Sequence, residues 1–106
     1  VNQDGYRVVR ANGHPNANSK GQILEHRLIM SELLGRPLTR TENVHHINGD
    51  KTDNTTDGPL VNFRSGNLEL WNRDQPAGQR VDDKVEFALA ILSLYRPELL
   101  ASDHGT

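Results

Sequence analysis

The chain has 106 residues, 34% hydrophobic and 5% aromatic, with a formal net charge of −2 and no cysteine. That length suits a lean core, so one domain spanning 1–106 is expected, and the absence of thiols excludes disulfides and thiolate zinc sites. No apolar run approaches the roughly 18 residues of a membrane span, and no basic-then-apolar leader opens the chain, so a cytoplasmic protein with no membrane partner is expected. Charge is unevenly spread: residues 1–40 carry six Lys/Arg against three Asp/Glu, 41–80 four against six, and 81–106 two against five. The basic first stretch keeps nucleic acid open as a partner, because acid gathered around a site can be offset by a bound divalent cation.

Residues 6–9 (Tyr-Arg-Val-Val) predict a short strand after the Asp4-Gly5 turn. Stretch 11–21, crowded with Asn, Gly and Pro, reads as an exposed loop that returns as a second strand at 22–24. Leu24, Leu28, Ile29/Met30 and Leu33/Leu34 recur at helical spacing over 24–34, with Gly35 as a C-terminal cap and Pro37 barring continuation. Residues 42–47 predict a strand that ends at the Asn48-Gly49 turn. Stretch 50–66 reads as a long loop anchored by Leu60, Val61 and Phe63, and 68–71 as a further strand. A last helix opens at Val81 or Asp82, repeats Val85, Ala88/Leu89, Leu92 and Tyr95, and stops at Arg96-Pro97, leaving 97–106 as an expected flexible tail. The sum is a small α+β domain with short N-terminal strands, one helix before the histidine-rich segment and a long C-terminal helix.

The chemistry concentrates in Val44-His45-His46-Ile47-Asn48, followed by Gly49-Asp50-Lys51 and by Asn67-Leu68-Glu69-Leu70-Trp71. Imidazole exchanges protons near neutral pH and ligates divalent metals. Neighbours on a regular strand point to opposite faces, so His45 and His46 serve one site only if the strand breaks or bulges there. Bland roles compete: strand-end histidines bonded to backbone, His26 packed on the first helix, His14-Pro15 as loop architecture, Asn54 bonding its own turn, and Trp71 in the core. Arg27, Lys51, Arg73 and Arg80 are candidate phosphate-binding cations, although single basic residues are usually solvated surface.

Gly5-Tyr6, Gly13-His14-Pro15, Glu25-His26-Arg27-Leu28, Leu34-Gly35-Arg36-Pro37-Leu38, residues 44–49, Asp53-Asn54, residues 67–71 and residues 75–81 follow in an order that resembles the phage-type HNH endonucleases without zinc, over roughly residues 5–95. The resemblance implies a ββα-metal (His-Me finger) site and metal-dependent hydrolysis of DNA phosphodiesters. In those terms His46 is the general base, His45 binds the metal, and Asn67 orients the loop and the base. No histidine follows Asn67 until His104; in the zinc-free relatives an Asn on the following helix takes the last ligand position, and the resemblance places Gln75 nearest to it, with Asn72 and Gln79 as competitors and Asp50 and Asp53 as possible carboxylate donors. Such donors suit Mg²⁺ or Mn²⁺ before Ni²⁺ or Zn²⁺. The family also implies a phage or bacterial host, phage packaging proteins as partners, and a homodimer as one route to a double-strand cut.

Residues 55–66 exceed the length the pattern expects: an extra DNA-contacting loop with Arg64 at its tip, or an insertion without a role. Two rival readings stand beside the nuclease. One is a DNA-binding or packaging accessory module that keeps the fold without catalysis; the other is a structural metal-binding domain.

Overall fold

Val8 and Val9, stiff at their branched Cβ atoms, favour extended backbone, and β1 (Val8–Arg10) pairs antiparallel with β2 (Gln22–Leu24), Val9 opposite Ile23. The strand starts later than residue 6 because Tyr6 is taken into a turn, its N–H donating to Asn2 Oδ1 at 3.0 Å while its carbonyl accepts from Asn2 N–H at 2.7 Å. β2 runs straight into α1 (Glu25–Leu34), where Glu25 places negative charge in the first turn. Gly35 ends the helix at φ 75°, a left-handed conformation that costs a residue without Cβ little, and its N–H returns to Ser31 O at 2.9 Å. The computed structural model describes residues 1–100. Two units emerge, Val1–Arg73 and Asp74–Thr106, and each is described by itself.

The first unit also holds a three-stranded antiparallel sheet of β3 (Glu42–His46), β4 (Arg64–Ser65) and β5 (Leu68–Asn72), with β5 central. Its register sets Val44 opposite Leu70, His45 opposite Glu69 and His46 opposite Leu68. Strand periodicity then sends Val44, His46, Leu68 and Leu70 to one face and Asn43, His45, Glu69 and Trp71 to the other. On the first face Val44 and Leu68 join Met30 and Leu38 in the core, with Ile29, Leu34, Leu60 and Leu70 packed around them.

Two features of this unit were not apparent in the hydrophobic pattern. Glu42 is fully buried, and its carboxylate is met by Arg36 through two bonds of 2.8 Å and by Thr39 N–H at 2.8 Å, so its charge is compensated where it stands. Within the stretch read as loop, Val61 and Arg64 bridge around Asn62 and Phe63, both at positive φ (52° and 62°), and the returning chain forms β4. Two residues are too few for a propensity signal, and pairing with β5 creates the strand.

In the second unit α2 (Val81–Tyr95) starts where expected. Asp83 holds its first turn, accepting from Arg80 N–H at 3.1 Å and from the Arg80 guanidinium at 2.8 Å, and that bond holds its carboxyl below the ordinary range. Pro97 closes the helix and a 3₁₀ turn follows over Pro97–Leu99; the rest of the expected tail, 101–106 with His104, lies outside the described residues. Among the described residues two α-helices and two small sheets make an α+β fold. Among the described residues no helix is long and apolar enough to cross a membrane.

Candidate active site

His46 is the last residue of β3 and lies on the core face, buried opposite Leu68. Its Nε2 is 2.6 Å from Asn54 Oδ1. Asn54 Nδ2 donates to Glu25 Oε1 at 2.8 Å, and the same oxygen accepts from Arg7 Nε at 3.1 Å. The His26 ring, projecting from the first turn of α1, lies 4.7 Å from that of His46 at 48°, and Tyr6 stacks on His26 at 5.1 Å. Lys51 Nζ sits 4.9 Å over the Tyr6 ring and donates to Asp4 O at 2.9 Å. Burial first, then the neighbouring His46 and Arg27, push the His26 pKa down to about 4, which keeps that ring neutral at physiological pH.

Asn67 clamps the turn that follows. Its Oδ1 accepts from Asn48 N–H at 3.0 Å, and its Nδ2 donates to Asn48 Oδ1 at 3.0 Å and to Asp53 O at 2.7 Å. The residue expected to orient the loop thus bonds both ends of the segment carrying Asp50 and Lys51. Bonds from Thr52 and Thr55 hold the Asp50 and Asp53 carboxyls below the ordinary carboxylate range. Gly66, beside Asn67, sits at φ 55°, where a Cβ would strike Thr55 O and come within 2.7 Å of Thr56 Cα, so the close approach of these two backbone segments requires glycine.

His45 lies on the other face, its ring stacked on Trp71 at 4.3 Å and 23°. The ladder continues unbroken through His46, so no bulge brings the two imidazoles to one side. Trp71, expected in the core, is 52% exposed for the same reason: its register position faces away from α1, and its Nε1 donates to Glu69 Oε1 at 2.8 Å. Neither ring nitrogen of His45 has a hydrogen-bond partner among the described residues. No group of three or more His, Cys, Asp or Glu able to hold an ion occurs among those residues. Gln75 belongs to the second unit, exposed, its N–H bonded to Asp74 Oδ1 at 2.9 Å.

No family model, curated protein or solved structure matches the chain. The site therefore stands on its own geometry.

Of the four candidate cations, Lys51 is tied to the His46 cluster through Tyr6. Arg27 is half-buried and donates to Glu42 O at 3.0 Å, Arg73 donates to Arg40 O at 3.2 Å, and Arg80 in the second unit pairs with Asp83. Sequence reasoning passed over His26, Asn54, Glu25 and Tyr6 as contributors. His26 is buried, and its ring packs against that of His46. The Asn54 amide, expected to bond its own turn, instead spans His46 and Glu25.

Proposed function

We propose that the chain is an HNH-type, metal-dependent DNA endonuclease with a ββα-metal site, in which His46 is the general base. The observation that carries the reading is a strand-end imidazole fixed at one nitrogen, followed directly by a turn that Asn67 ties to the next strand. Hydrolysis of a phosphodiester needs a base within reach of a water, held in one orientation, and a polar turn beside it for the phosphate. His46 takes the proton of the attacking water, Asn67 keeps the 48–53 turn in place, and Lys51 contributes positive charge to the phosphate. When bound, one divalent ion, Mg²⁺ or Mn²⁺ before Ni²⁺ or Zn²⁺, would supply charge to the phosphate and leaving oxygen, with His45 as its protein ligand in the first unit. Because His46 ends β3, a phosphate laid across the strand terminus is the arrangement that lets residues of both faces act on it. DNA is the partner of this reading, with a homodimer or phage packaging proteins as its further associates in a bacterial cytoplasm.

A non-catalytic DNA-binding or packaging accessory module is the second reading. It is favoured by the opposite directions of His45 and His46 and by the internal bonds of Arg27, Arg73 and Arg80. Plasmid cleavage with Mg²⁺, Mn²⁺, Ni²⁺, Zn²⁺ or EDTA separates the two. The endonuclease cuts only with metal, and His46→Ala loses about 10²- to 10⁴-fold in rate while DNA binding persists. Absence of cutting with every metal, or a mutant that cuts as well as wild type, leaves the accessory module.

A further inference from the structure

One orientation of the Asn54 amide satisfies both of its neighbours. Glu25, ion-paired to Arg7 at 3.1 Å, offers acceptors, so the –NH₂ of Asn54 faces it at 2.8 Å and the carbonyl oxygen faces His46 Nε2 at 2.6 Å. A carbonyl oxygen has no proton to give, so Nε2 carries the hydrogen, and in the neutral ring the lone pair sits on Nδ1. The buried side-chain polar atom left without a partner among the described residues is His26 Nδ1, and His46 Nδ1 is not sealed in that way. Ring contacts from His26 at 4.7 Å and Tyr6 at 6.1 Å also restrain the His46 plane. The link from Asn54 to Glu25 spans 29 positions of sequence, which a residue serving only its own turn has no use for.

We infer that Glu25 and Asn54 are positioning residues that fix His46 in the Nε2–H tautomer and present Nδ1 as its proton-accepting atom. The assignment of Nδ1 to a reacting water rests on the endonuclease reading; the tautomer does not. In that reaction a water O–H bond breaks and its proton goes to Nδ1, while the oxygen's electron pair forms the new P–O bond. The P–O3′ bond breaks, and the departing oxygen keeps its electron pair and takes a proton from solvent water. The imidazolium so formed keeps its Nε2–H on Asn54, one amide away from the Glu25 carboxylate, in a setting built before the charge appears.

The test is ¹⁵N NMR of the imidazole in the metal-free full chain, at a pH where the ring is neutral, for wild type, Asn54→Ala, Glu25→Ala and Glu25→Gln. Wild-type His46 carries its proton on Nε2, Asn54→Ala mixes the tautomers, and Glu25→Ala mixes them in part. Glu25→Gln retains more of the wild-type signature than Glu25→Ala, since its amide oxygen still accepts from Asn54. In plasmid cleavage Asn54→Ala lowers kcat by about 10- to 100-fold with KM for DNA unchanged, the loss typical when an imidazole's orienting partner is removed. A wild-type proton on Nδ1, or a tautomer unmoved by Asn54→Ala, overturns the inference. Should Asn54→Ala fail to fold, equal tautomers in Glu25→Ala and wild type overturn it equally. A wild type that cuts with none of the metals, yet shows the expected tautomers, removes the endonuclease reading and upholds the positioning.

Discussion

His26 is a neutral ring enclosed between Tyr6 and His46, and enclosure makes it a pH-dependent liability. Its pKa falls from 6.5 to about 4 on folding, so between those values the unfolded chain binds more protons than the folded one. The stability it contributes is complete above pH 6.5 and is lost as pH falls towards 4, on the order of 3 kcal/mol in all. Denaturant unfolding from pH 7 to pH 4 checks this: wild type weakens across that window, and His26→Phe flattens the slope there. Asp50, Asp53 and Asp83, held below their ordinary 3.8, act in a lower window: what they contribute is present above that value and is lost as pH falls below it. At this scale the sequence exposed His45, His46 and Asn67 because adjacent imidazoles and the Asn-Gly turn are visible in one dimension. Asn54 and Glu25 were not visible as partners, since an amide looks alike whether it bonds its own turn or a carboxylate on another element.

Glu42 opens β3, the strand that carries both histidines, and fastens it to the end of α1 through Arg36. Removing one member of a buried, hydrogen-bonded pair leaves an uncompensated charge and costs about 3–5 kcal/mol. Arg36→Ala is therefore expected to lower the denaturation midpoint sharply, whereas Arg36→Ala combined with Glu42→Leu recovers part of the loss; a small effect of the single mutant would mean that Thr39 and solvent suffice for Glu42. Elements long enough to show a period were legible before folding. Helix 24–34 differs by one residue at its start, and the last helix matches from Val81 to Tyr95. β4 was not legible, because two residues become a strand only once β5 supplies the partner.

The core formed by Met30, Leu38, Val44 and Leu68 lies wholly within Val1–Arg73, together with His46, Asn54, Asn67 and their partners. A fragment of residues 1–73 is accordingly expected to keep both sheets and the His26–His46 ring contact, read by circular dichroism and by ring-current shifts. A fragment that is unstructured would show that the second unit is needed for the first to fold.

The sequence by itself determined the α+β class, both helices, the strands at 22–24, 42–46 and 68–72 to within a residue or two, and the crowding of imidazoles and amides around one turn. Helical and strand periods and turn residues act between near neighbours, so they survive in a linear reading. Tertiary structure alone decided that His45 and His46 leave β3 on opposite faces, that Trp71 is exposed, and that Glu25, Asn54 and His26 converge on His46. Those outcomes depend on which face of the sheet meets α1 and on bonds between residues as many as 29 positions apart, and no local preference encodes either.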